Sequence, residues 1–381
     1  MREEVTHSDT GYLQADEMLV NMGPQHPSTH GVLRVVIRTD GEIVRQATPH
    51  IGYLHRCKEK CAEAVTYPQY IPYTDRMDYI AAMSNNFAFC WAVEKLAGIQ
   101  TTERAEHIRV IVNELQRIAS HLVAFGTYGL DMGAFTPFLY AFRERETILD
   151  IFERICGARL TYSYGRVGGL MRDFDQQCVD MTRRFIDDFD SKWDEYNTLL
   201  SGNEIFVKRT ANVGVLPPDV AVAYGCTGPM LRGSGVKYDL RRAEPYSVYD
   251  RFRFDIPVGQ GMMGAVGDCW DRYWVRMAEM KQCCRILRQC IEQMPDGPHR
   301  AKLPRAMKVP PGEVYCEYEN PRGHLGFYIE SQGGPIPYRV KIKGPSFVNL
   351  AVTGELCRNV LLADIPAIIG SIDIVMGEVD R

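Results

Sequence analysis

Four stretches with apolar residues recurring every three to four positions, Asp78–Leu96, Thr102–Tyr128, Pro137–Cys156 and Phe174–Leu199, follow one another with short breaks. An apolar stripe at that period makes a helix that must bury one face, and four in succession do so by packing on each other. A helix bundle is therefore the expected centre of the molecule, with another long helix over Gly267–Gln293. Thr101-Thr102-Glu103 and Thr136-Pro137 read as helix starts, the second placing proline where its missing N–H costs nothing. Gly126, Gly129 and Gly133 are expected to end the helix that precedes Pro137.

The flanks have a different period. From Gln14 to about Val44 apolar and polar residues alternate, and Thr39-Asp40-Gly41-Glu42 supplies an Asp-Gly turn, so strands and a hairpin are expected there. Residues 314–331 and 338–352 read as strands after a proline-rich segment, 294–311, and a short helix is expected near Leu362–Ile369. Gly202–Gly264, rich in Gly, Pro and Tyr, is expected to be irregular. The fold class is α+β, a central helix bundle flanked by N- and C-terminal antiparallel sheets. The expected division is 1–50, 51–300 with the insertion 202–264, and 301–381. The 381 residues exceed the roughly 250–300 at which one core stops growing, so one large or two intimately fused domains are expected.

Several functional classes recede on composition. The 44 basic and 48 acidic residues give a net charge of −4, and no basic run is interleaved with aromatics, so nucleic acid is not an expected partner. The first seventeen residues are acidic where a secretory signal would be basic and then apolar, and no apolar run reaches about 18 residues. The twelve cysteines are irregularly spaced and include no C-x2-C pair, so most read as small buried hydrophobes rather than as a disulfide framework or a metal cluster.

The sharpest local feature is Gly23-Pro24-Gln25-His26-Pro27-Ser28-Thr29-His30-Gly31, two histidines in a loop stiffened by two prolines. Histidines held with little entropy left to lose suit proton donation, although capping of backbone groups is the commoner use of such a turn. His-x3-His outside a helix is weak as a metal motif.

Together with the rest of the chain this loop resembles the 49 kDa, or D-type, family of NADH:quinone oxidoreductase subunits. The blocks that carry the resemblance are MGPQHPSTHGVLR (22–34), PHIGYLHR (49–56), DRMDY (75–79), AVEKLAGI (92–99), RVIVNELQRIASHLV (109–123), LDMGAFTPF (130–138), FRERE (142–146), SFVNL (346–350) and SIDIVMGEVDR (371–381). They span nearly the full length in the family's order.

The resemblance implies common ancestry, and a shared fold, with [NiFe]-hydrogenase large subunits. The positions of the four hydrogenase thiolates are Asp78, Ala81, Val375 and Glu378 here, and nickel needs soft thiolate donors, so no metal is expected on this chain. In its place the resemblance implies a cavity for a quinone head group (ubiquinone, menaquinone or plastoquinone). Tyr79 and His30 are implied proton donors, Asp131 is the implied partner of His30, and His26, Thr127 and Val375 are further implied members of the pocket. A carboxylate beside an imidazole favours its charged form. Arg56 is implied to lie beside a [4Fe-4S] cluster carried by a neighbouring subunit, where a fixed positive charge favours the reduced state.

Further partners implied are the subunit that bears that cluster (B, or PSST, type), the C or 30 kDa type subunit and the quinone-channel membrane subunit (H type). The implied location is peripheral, on the cytoplasmic face of the inner membrane or its matrix or stromal equivalent. The implied activity is quinone reduction coupled to ion translocation. The chain departs from the family at Cys57, where glycine is usual, and at Thr161, where the family's Gly-x-Arg block commonly supplies a histidine; a hydroxyl cannot tune a cluster near neutral pH. Two rivals are a non-catalytic scaffold and a membrane-bound hydrogenase. The first is disfavoured by the presence of Tyr79, His30 and Asp131, the second by the four missing thiolates.

Overall fold

A computed structural model describes residues 17–304 and 307–381. The chain opens with an antiparallel sheet in the order β1 (Glu17–Met22), β2 (Arg34–Asp40), β3 (Ile43–His50). The hairpin at Asp40-Gly41 is where the turn chemistry put it, with a register shift at Arg38/Thr39. Gln14–Asp16, the start of the expected first strand, lie outside the described residues. Two helices with no strong sequence signal follow, α1 (Lys58–Ala62) and α2 (Tyr67–Asp75), the latter started by a capping box from Thr66 and Gln69.

The bundle consists of α3 (Ala82–Ala97), α4 (Glu103–Asp131), α5 (Thr136–Cys156), α6 (Gln176–Tyr196) and, later in the chain, the long helix Cys269–Gln293. The first of these starts four residues later than expected, because Asp78 closes a turn by accepting from the Ala81 N–H at 3.2 Å. That leaves Asp78 and Tyr79 on irregular backbone. Gly126 and Gly129 do not end α4. A Cβ on Gly126 would stand 3.0 Å from the Phe138 Cα, and one on Gly129 would stand 3.2 Å from the Ala134 carbonyl, so both admit α5 at close range. Gly133, at φ +86°, lies in the turn where the chain leaves the helix.

A two-residue hairpin, β4 (Gly165–Arg166) and β5 (Gly169–Leu170), precedes α6. The 202–264 segment is less irregular than expected: α7 (Glu204–Thr210), α8 (Pro218–Ala223), α9 (Pro229–Gly233) and α10 (Leu240–Ala243) punctuate it. Each begins at a cap or a proline, and all are too short to show a period. The long helix Cys269–Gln293 is α11, capped by Asp268.

The C-terminal sheet is antiparallel, β6 (Gly312–Asn320), β7 (Gly323–Ser331), β8 (Arg339–Lys343). The rest of the expected second strand, Pro345–Leu350, is helix α12, since Pro345 at the first turn suits a helix and cannot donate to a ladder. α13 (Thr353–Leu356), α14 (Ile365–Ile372) and α15 (Met376–Asp380) complete the chain.

α4 runs through the middle of the core and is buried nearly all round, so its polar residues need internal partners. Arg109 forms a two-pronged pair with Glu94 at 2.6 and 2.9 Å, Glu114 accepts from Arg241 at 3.0 Å, and His121 meets Glu279 at 2.9 Å.

Candidate functional site

The last two turns of α4 present Val123, Thr127, Leu130 and Asp131 on one face, at the spacing that stacks side chains along a helix. Opposite them, the Gly23–Gly31 loop brings Pro27, Ser28 and His30; the turn before α3 brings Tyr79 and Ile80; the end of α14 brings Asp373 and Ile374; and the β6–β7 turn brings Arg322. These residues enclose a cavity of about 410 Å³, open on one side.

The loop is shaped by its own hydrogen bonds. His26 caps the short turn Pro27–Thr29 by accepting at Nδ1 from the Ser28 N–H at 3.2 Å, while buried Thr29 donates to the His26 and Gly31 carbonyls. His30 takes a left-handed backbone (φ +53°) that turns it away from His26, and its Nε2 lies 2.7 Å from Asp131 Oδ2. Asp131 ends a helix, where the backbone field opposes an anion, so a facing imidazole is well placed to hold it. The two histidines of the motif thus separate: His30 joins the cavity, and His26 stays exposed as a cap.

Tyr79 is half-buried on the cavity wall. Burial, and next the neighbouring Asp78 carboxylate, push its hydroxyl above the ordinary phenol range. Thr127 donates to the Val123 carbonyl at 2.8 Å, which leaves only its lone pairs for a guest. Val375 is buried behind Ile374, which takes the wall position.

Arg322 and Asp373 escaped sequence reading. Nothing about an arginine in Pro321-Arg322-Gly323, between two strands, marks it as buried, yet it is among the largest fully buried side chains. Its Nη1 donates to Asp78 Oδ2 at 2.8 Å and to the Ser120 hydroxyl at 3.0 Å, and its Nη2 donates to Asp373 Oδ1 at 3.3 Å.

Asp78, Ala81, Val375 and Glu378, far apart in the chain, share one buried neighbourhood. Asp78 and Ala81 close the same turn, the Val375 N–H and Glu378 both bond to Ser346, and Glu378 and Asp78 feel each other's charge. Among the described residues no group of three or more His, Cys, Asp or Glu is placed to hold a metal ion.

Arg56 lies apart from the cavity. It is exposed, and with Lys58, Pro72, Tyr73 and Arg76 it lines a hollow of about 200 Å³. Lys58 is buried, donates to the Arg76 and Gly377 carbonyls, and is pushed down to about 8 by burial first and the Arg56 charge second. Cys57 adopts φ +54°, the conformation that the usual glycine takes without strain. Thr161 is likewise left-handed at φ +53°, and nearby Asp75, which accepts from the Ser163 N–H at 2.9 Å, is pushed up to about 7 by burial. A group that titrates near neutrality is therefore present in the neighbourhood that lacks the histidine.

The family described as respiratory-chain NADH dehydrogenase, 49 Kd subunit, matches residues 131–307 and 303–381 of this chain. A protein of Geobacillus thermodenitrificans, named as the D-type subunit of NADH-quinone oxidoreductase, is 53% identical over 369 residues, covering 97% of this chain and all of that one. Its counterpart of the same name in Chlorobaculum tepidum is 53% identical over 373 residues, 97% of this chain and 93% of its own. A counterpart in Cytophaga hutchinsonii is 50% identical over 388 residues, 98% of each. With its helix bundle between two small antiparallel sheets and these likenesses along its length, the chain belongs to the family of the 49 kDa subunit of respiratory-chain NADH dehydrogenase.

Proposed function

We propose that this chain forms the quinone site of an NADH-quinone oxidoreductase and that its own side chains supply the protons of quinone reduction. The observation that carries the reading is the 410 Å³ cavity on which Tyr79 and the His30–Asp131 pair converge. Pro27, Ile80, Val123, Leu130 and Ile374 give a flat apolar guest its contact surface, and a few polar groups orient it. Quinone reduction takes two electrons and two protons. Tyr79 donates to one carbonyl oxygen, and His30, held by Asp131, is the donor for the other.

A [4Fe-4S] cluster on the neighbouring B-type subunit supplies the electrons. The basic hollow around Arg56 is the face of this chain suited to it, because fixed positive charge favours the reduced cluster. The C-type and H-type subunits complete the assembly in this reading, and quinone reduction is coupled there to ion translocation. No helix among the described residues is long and apolar enough to cross a membrane, which accords with a peripheral place.

Two measurements test the parts. His30→Ala and Asp131→Asn should each lower quinone reduction in the assembled enzyme. The double variant should lose little more than the worse single one, because a pair acting as one unit is not additive. Full additivity would mean that the 2.7 Å contact is incidental. Arg56→Ala should leave assembly intact and lower the midpoint potential of the adjacent cluster in a redox titration followed by electron paramagnetic resonance; an unmoved potential would make Arg56 a solvated surface charge.

A further inference from the structure

The neighbourhood that replaces the hydrogenase thiolates contains an unbalanced carboxyl group. Arg322 is matched by Asp78 and Asp373, and Arg276 adds a second contact to Asp373 at 3.5 Å. Glu378, fully buried on α15, forms no ion pair among the described residues. Its Oε2 accepts from the Ser346 N–H at 3.0 Å and from the Ser346 hydroxyl, and its Oε1 has no partner among the described residues. The Lys58 ammonium, which feels the Glu378 charge, directs its protons to backbone carbonyls instead. A buried carboxylate with one bare oxygen and no bonded cation is costly, and the neutral acid avoids that cost.

We propose that Glu378 and Asp78 form a carboxyl pair that keeps one proton, carried on Glu378, and that this proton is a redox-linked control on the quinone pocket behind Tyr79. Two observations fix its place. Asp78 precedes Tyr79 in the chain, and its charge already raises the affinity of Tyr79 for its own proton. Gly377, the neighbour of Glu378, packs so tightly on this turn that a Cβ there would stand 2.5 Å from the Met77 carbonyl and 3.4 Å from Tyr79 Cδ1.

Burial first and the Asp78 charge second push the Glu378 carboxyl up to about 8, against the Ser346 bonds and Arg322. Lys58 on α1 feels the Glu378 charge and in turn binds the Arg76 carbonyl, while Arg322 is shared with Asp373, which Arg276 on α11 also meets; these cations set how far above neutrality the proton is lost. Negative charge entering the pocket with electrons binds this proton more tightly. Conversely, its loss to solvent adds a second carboxylate to the buried neighbourhood of Asp78, behind the turn that carries Tyr79, and opposes electron entry.

The role in quinone reduction rests on the function proposed above; the proton itself does not. Infrared difference spectra of the resting, purified assembly, taken at neutral pH against well above pH 8 in H2O and D2O, should show a carboxylic-acid C=O band that Glu378→Gln removes. Quinone reduction by the parent should fall on an alkaline limb near pH 8, and Glu378→Gln, which cannot ionise, should lose that limb. No acid band in the parent at neutral pH, or an unchanged limb in Glu378→Gln, overturns the proposal.

Should Glu378→Gln fail to assemble, Ser346→Ala serves. Removing a hydroxyl that stabilises the anion should move the limb and the band's disappearance to higher pH, and an unmoved limb counts against the pair. If Tyr79→Phe instead shows that the cavity is not a quinone site, the infrared band still reports the proton, and only its coupling to reduction falls.

Discussion

Tyr79→Phe is expected to cut quinone reduction by roughly 10²-fold or more while the enzyme assembles normally, the size of effect typical for loss of a positioned proton donor. The substitution keeps the ring that packs on the α15 turn and deletes only a hydroxyl that faces the cavity, so the stability cost is about 1 kcal/mol at most. His30→Ala should fall in the same class through the other wall. The check is quinone reductase activity measured beside reduction of the clusters by the upstream donor in one preparation. Cluster reduction should be unchanged, because neither residue lies at the Arg56 hollow. If both assembled variants reduce short- and long-tailed quinones at the parent rate, the cavity is not the site and the chain is a scaffold.

Arg322→Leu should have the largest effect on stability. It removes a guanidinium held by Asp78, Asp373 and Ser120 and leaves carboxylates in a buried place, an arrangement that costs about 3–5 kcal/mol. The loss should depend on pH with a definite sign. Burial holds the Asp78 carboxyl above its usual range, and the Arg322 charge is the chief opposing influence. Without Arg322 it rises further, so the folded variant binds protons that the unfolded chain has released, and its deficit shrinks as the pH falls. Thermal midpoints of purified assemblies across a pH series measure this. Arg322→Leu with Asp78→Asn should recover part of the loss; a deficit that is flat with pH would place Arg322 outside the charge balance.

The sequence by itself determined those features whose physical cause is local or repeats along the chain. The apolar period of 3.6 over 82–196 requires packed helices, the Asp40-Gly41 turn requires a hairpin, and the alternation in 312–343 makes a sheet. It also determined the family, through blocks whose spacing and order are read directly. That Tyr79, His30, Asp131 and Thr127 line one cavity could be anticipated only through that family likeness, since each alone has a commoner structural use. His26, from the same motif, caps a turn and is not among the residues that line the cavity.

Tertiary structure decided everything that depends on neighbours distant in sequence. Gly126 and Gly129 look like helix ends until α5 and the turn that leads into it are packed 3.0–3.2 Å from their missing Cβ positions. Pro345–Leu350 continues the β alternation in sequence but folds as a helix on α15. Arg322 and Glu378 carry ordinary surface residue types, and only the return of the C-terminus against the turn before α3 buries them, pairing the one and leaving the other without an ion pair among the described residues. Burial and charge balance are sums over every element that converges on a point, and no window along the chain contains all the terms.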